Sequence, residues 1–155
     1  MKWLLLLFTH GGALALGFAL GIYALPILTA PQPPEAAAME AAAAQARFKG
    51  EFRRDLAGSD VFHWGEGTVL VGPRFVSLDG AVAPGPDYKL YLSPVFVETE
   101  ADFLREKARM VRVGDVKTFE NFVVPVTGDV DPADYSSVIV WCETFSEFIS
   151  AAKYR

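Results

Sequence analysis

The sequence predicts a mainly β, sandwich-like antiparallel domain with one short surface helix, preceded by an N-terminal transmembrane helix and an Ala-rich helical stalk. Three observations lead there. No charged residue falls between Lys2 and Glu35, a stretch dominated up to Ala30 by Leu, Ala, Gly, Ile and Phe. Residues 35–46 read EAAAMEAAAAQA. From Arg47 onward, short apolar runs are bounded by Gly, Pro and Asp, the pattern of strands and tight turns. The chain divides accordingly into an anchor at 1–30, a Pro/Ala-rich linker and stalk at 31–47 and a β domain at 48–155.

At ~1.5 Å per residue, the run from Trp3 to Ala30 is long enough to cross a hydrocarbon core of ~30 Å. A cleaved signal peptide shares the basic start and the apolar run. However, the run ends Leu28-Thr29-Ala30-Pro31 with no small-x-small pair in place, and Pro31 follows the only obvious cut, so an uncleaved anchor is favoured. Lys2 and the terminal amine lie on the short side, and the other flank stays free of Lys and Arg until Arg47. The cationic bias then directs the domain outward, in a bacterium to the periplasmic face of the inner membrane on a single pass. Gly17 and Gly21, with Ala13 a turn earlier, make a small-residue stripe that chance in an Ala/Gly-rich span explains equally well. His10 is the one ionisable side chain at membrane depth and reads as a neutral imidazole near the headgroups.

Pro31, Pro33 and Pro34 stop the anchor helix. The Ala tract after them is a strong helix former without a wide apolar face, expected to hold the domain off the bilayer and to pack only near Phe48. Strands are expected at Gly67–Val71, Arg74–Leu78, Tyr88–Leu92, Phe119–Val126 and Ser137–Cys142, with a weaker one at Phe145–Ile149. In Tyr88–Ser93 the apolar residues fall at 88, 90 and 92, which predicts one buried and one partly wet face. Val138–Cys142 is apolar on both faces, as a central strand is. Thr99 to Met110 predicts the one helix, capped by Thr99, with Ala101, Leu104, Ala108 and Val111 at helical spacing. Turns are expected at Asp79-Gly80, Pro84–Asp87 and Thr127–Asp129.

Composition narrows the chemistry. With 14 Lys+Arg against 19 Asp+Glu, a net charge of −5 and no basic run, a nucleic-acid partner has no electrostatic footprint. One Cys and two His exclude a disulfide framework, a Cys-rich zinc site, an iron–sulfur cluster and a C-x-x-C-H haem attachment. The lone thiol, Cys142, is then buried and inert, redox-active, a metal ligand or joined to another chain; beside Trp141 in a strand, burial is the commoner outcome. Glu143 next to it would raise its pKa. His63, in a turn leading into a strand, could share a haem iron with Cys142, though a hydrogen-bonded His at a strand entrance is commoner. Asp129, Asp131 and Asp134 lack the glycine and distal Glu of a calcium loop, and Asp131-Pro132 reads as a cap followed by Pro in the first turn. No G-x-S-x-G, H-E-x-x-H, P-loop or Rossmann glycine pattern occurs.

Phe48–Phe52, His63-Trp64-Gly65-Glu66-Gly67-Thr68-Val69, Gly85-Pro86-Asp87 with Tyr91-Leu92-Ser93, Gly114–Lys117, and Val138–Phe145 with Phe148 and Ala151 together resemble the DM-thirteen domain. The resemblance covers nearly all of Phe48 to Tyr154 and leaves anchor and stalk outside. It implies a mainly β electron-transfer module of the kind found beside DOMON domains in animal cell-surface proteins and alone on bacterial anchors. It also implies a role for the characteristic cysteine, matched by Cys142, as a free thiol or as the holder of a prosthetic group such as haem. His63 matches the turn motif, to which the resemblance assigns no role. Thr99–Met110 and the end at 150–155 depart from the pattern, which puts partner contacts in doubt. The expectation is a membrane-anchored extracytoplasmic domain with a redox role centred on Cys142 and a redox or protein partner on the outer face. The rival is a non-catalytic binding or scaffold module that meets a partner through the turns at Pro84–Asp87 and Asp129–Asp134.

Overall fold

The computed structural model describes residues 1–128 and 130–155. Helix α1 (Lys2–Thr29) is long and apolar enough to cross a membrane, with a mean hydropathy of 1.9 and no buried residue. Inside it, the His10 Nδ1 lies 2.8 Å from the Leu6 carbonyl oxygen, one turn back. Helix α2 (Ala36–Gln45) is not free-standing: Ala42 is buried and the helix lies against two strands of the first sheet. Arg74 fixes its end by donating to Gln45 Oε1 at 3.2 Å. A helix without an apolar stripe docks here because alanines let it approach closely.

The domain is two four-stranded antiparallel sheets, as expected for a sandwich. The first holds β1 (Phe48–Phe52), β2 (Gly65–Val71), β3 (Phe75–Val82) and β6 (Glu120–Pro125), in that order. The second runs β5 (Val111–Val116), β4 (Tyr88–Ser93), β7 (Ser137–Cys142), β8 (Glu147–Lys153). Strand β1 lies against β8 and β5 against β6, so the edges of the two sheets meet. Gly50 allows the first approach, since a Cβ there would sit 2.8 Å from the Lys153 carbonyl oxygen. Between the sheets lies the main core, including Val69, Leu78, Leu90, Leu92, Val138, Val140 and Ile149.

Several expectations are corrected. Strands β1 and β5 were not foreseen, and the last strand starts later and runs on to Lys153 instead of ending at Ile149. Asp79-Gly80 is no turn: it lies within β3, where Gly67 and Gly80 face each other across the β2–β3 ladder. Gly67 takes φ 115°, and the register shifts between Leu78 and Ala81, so the pair marks a bulge. The helical segment is α3 (Glu100–Glu106) followed by a 3-10 turn at Lys107–Arg109. Thr99 caps it as expected, accepting from the Asp102 N–H at 3.2 Å. Its packed residue is Phe103, while Ala101, Leu104 and Ala108 are exposed. A seven-residue helix is too short for periodicity to fix its phase. Phe103 stacks on Trp141 at 3.9 Å between centroids, in a second core under α3 with Tyr91 and Ile139. The outer face of β4 is thus covered at Tyr91 and Ser93 and partly wet at Lys89, in line with the expected pattern. Strand β7 is fully buried, as its two-faced apolar pattern requires. Asp131 caps the Pro132–Asp134 turn, accepting from the Ala133 N–H at 2.9 Å. Asp129 lies outside the described residues, so the Thr127–Asp129 turn and the full acidic triad do too.

Candidate functional site

Alternation along β7 directs Val138, Val140 and Cys142 between the sheets and Ile139 and Trp141 toward α3. Cys142 is the last residue of its strand and is 3% exposed. Directly across the β4–β7 ladder stands Tyr88, the first residue of β4. These two side chains form the floor of a cleft of about 260 Å³ at one end of the sandwich. Around them stand Pro84, Gly85 and Pro86 from the β3–β4 connection, and Phe145, Glu147 and Ile149 from the β7–β8 hairpin. Phe62 and His63 close a third side, and Ile22 and Tyr23 of α1 a fourth. The two residues singled out in the sequence, Cys142 and His63, thus line one cleft although 79 positions separate them.

Burial pushes the Cys142 thiol up from its ordinary value, and the Asp87 carboxylate adds to the effect. Backbone N–H groups of Phe145, Asp87 and Thr144 nearby pull the other way, without reversing the shift. Glu143, expected to be the acid that bears on the thiol, faces the opposite side of β7. There its carboxylate accepts from the Tyr91 hydroxyl and from Lys107 Nζ at 2.9 Å. Burial alone would raise Glu143, but those two donors hold it below the usual carboxylate range.

Asp87 pins the cleft. Its carboxylate takes Thr144 Oγ1 at 3.1 Å and Lys89 Nζ at 2.6 Å, while its carbonyl takes the Glu143 N–H at 3.0 Å. The Gly85-Pro86-Asp87 segment is thereby tied to the Cys142 hairpin. Gly85 is required because a Cβ would lie 2.5 Å from the Tyr88 ring. On the far side, Asp60 accepts the Phe62 and His63 N–H groups at 2.7 Å each and holds the His63 Nδ1 at 3.0 Å. Arg54 lies 3.4 Å over the Trp64 ring and pairs with Glu66 at 2.5 Å, which steadies the same loop. Sequence reasoning missed Tyr88, Asp87 and Asp60 as site residues. For Asp60 the signal was present in its Asp-x-x-His spacing, an Asx turn in waiting; for Tyr88 it was not, since only ladder register sets it opposite Cys142.

The residues do not fit a haem. The cleft is smaller than the ~300–1,000 Å³ usual for ligand pockets, no Lys or Arg lines it to meet propionates, and the thiol is held protonated rather than as a ligating thiolate. Among the described residues no group of three His, Cys, Asp or Glu side chains is placed to hold a metal ion.

No curated protein and no solved structure matches the chain. A protein-family model described as "Electron transfer DM13" matches residues 48–154, a span that includes the helical segment and the C-terminal strand read as departures. That span begins at the first residue of β1 and ends one residue beyond β8, taking in the whole sandwich and the Cys142 cleft, and the chain belongs to the electron-transfer DM13 family.

Proposed function

We propose that the protein is a membrane-anchored, extracytoplasmic electron-transfer domain whose redox centre is the Cys142 sulfur. The anchor is α1, with Lys2 on the cytoplasmic side and the sandwich on the periplasmic side of a bacterial inner membrane. The observation that carries the reading is the cleft itself: a lone thiol at its floor, faced by Tyr88 and approached by three backbone N–H groups. Such N–H groups stabilise negative charge on sulfur as it develops, so the thiol stays protonated at rest and becomes a thiolate when a partner brings a proton acceptor or positive charge to the site. With no second cysteine in these 155 residues, the sulfur works with an external partner and not with an internal dithiol. His63, held by Asp60, stands at the same cleft as a proton donor or acceptor for that partner.

The test uses the full chain in detergent or nanodiscs and in its native membrane. Cys142→Ser is expected to abolish partner oxidation or reduction while leaving the fold intact, and the native thiol to be alkylated slowly but measurably without denaturant. Membranes carrying the protein are expected to show no Soret band dependent on Cys142. A binding-module reading is favoured by one observation, the exposed rim residues Phe62 and Phe145 at 63% and 48%. Under it, Cys142→Ser changes no redox property and the thiol reacts only after unfolding.

A further inference from the structure

The geometry points to a quinone-class ligand, supplied from the bilayer, as the occupant of the Cys142 cleft. This rests on the membrane-anchored reading and names the substrate class of the same site. The height of the cleft comes first. Trp3 and Tyr23, the two aromatic residues of the apolar run with a polar edge, stand twenty residues apart, ~30 Å along a helix, which equals the hydrocarbon thickness. Aromatic residues at that spacing sit at the two membrane–water boundaries. Tyr23 and Ile22 are the α1 residues that wall the cleft, so its mouth lies at the outer boundary. The exposed apolar side chains Phe62 and Phe145 stand at that mouth, where lipid rather than water would meet them.

The lining then selects the ligand. It holds no Lys or Arg and one carboxylate, Glu147, which disfavours phosphates, carboxylates and every anionic cofactor. Its walls are proline, phenylalanine and isoleucine, which suit an uncharged ring. One polar group is left over. Tyr91 and Tyr154 donate to Glu143 and to the Pro132 carbonyl, whereas the hydroxyl of Tyr88, a residue only 4% exposed, has no protein acceptor among the described residues. That hydroxyl is open to the cleft and not sealed from solvent, so an acceptor on a ligand can reach it. His63, with Nδ1 engaged by Asp60, brings a second polar atom, Nε2, to the same cleft. A neutral ring with carbonyl acceptors on opposite sides and a tail that stays in the bilayer meets all of these terms. A volume of about 260 Å³ takes one such ring and leaves the tail outside.

The experiment places the full-length protein in nanodiscs and measures alkylation of Cys142 by N-ethylmaleimide with and without decylubiquinone, whose fully substituted ring does not add thiols. Saturable protection is expected, weakened about five- to tenfold by Tyr88→Phe, the loss of one hydrogen bond. Phe62→Asp, on the exposed rim, is expected to weaken it as well and serves if Tyr88→Phe fails to fold. Equal protection by decanol would reduce the cleft to an acyl-chain site and overturn the quinone assignment. Absence of protection overturns the site while leaving the Cys142 redox role standing on its own Cys142→Ser test. An intact mass showing cleavage after Tyr23, as after Ala30, removes one wall of the cleft and overturns the membrane route.

Discussion

Cys142 feels two opposed influences, loss of water and a ring of backbone N–H groups, and the first prevails. Its alkylation rate should therefore rise with pH along a curve whose midpoint lies above the ordinary thiol value of ~8.5. A midpoint at or below that value would mean that the N–H groups dominate. Gly85 offers a second handle on the same site. Gly85→Ala drives a methyl against the Tyr88 ring and should cost ~1–3 kcal/mol. The displaced ring should open the thiol to faster alkylation, and an unchanged melting point and rate would show that the loop gives way. At this scale the sequence pointed to Cys142 through residue type and the family resemblance, and to His63 through residue type. Tyr88 escaped because a tyrosine in an alternating strand looks like any core residue until its ladder partner is known.

Strand β7 carries different chemistry on its two faces, the thiol toward the cleft and Trp141 toward α3. Phe103→Ala removes one ring of a fully buried stack and should destabilise by ~3–5 kcal/mol in urea unfolding, with Cys142 alkylation in the native state unchanged. A loss below about 1 kcal/mol would mean that Lys107, 5.5 Å from the Phe103 ring and 5.7 Å from Trp141, and the rest of the segment close the gap. The central strand was legible because two-faced apolarity has few other meanings. The phase of α3 was not, since about two turns of helix show too little repeat and a single aromatic decides which side packs. Asp79-Gly80 misled for a related reason: a turn dipeptide and a bulge glycine ask for the same backbone freedom.

Across the whole molecule, burial raises Tyr88, Tyr91 and Tyr154 above the ordinary tyrosine value. A raised native pKa gives stability that is complete below the unfolded value, ~10, and is lost as pH climbs through the native one. The urea midpoint should thus hold steady to about pH 9 and fall through pH 10–12, where a flat profile would show that these hydroxyls ionise in place. The order of long apolar helix, Ala-rich helix and sandwich could be read directly, because apolar length and strand–turn punctuation are one-dimensional signals. The docking of α2 and the meeting of the sheet edges were not, because both depend on which strands become neighbours.

That meeting of edges matters most where the protein is proposed to live. Copies anchored in one membrane are confined to a plane at high local concentration, where an open strand edge invites runaway pairing between neighbours. With β1 set against β8 and β5 against β6, each sheet margin lies against a margin of the other sheet, which narrows the room for a neighbour to pair with it. A visiting partner likewise finds little strand edge to extend. It must recognise side chains at the end of the sandwich, which is where the cleft opens.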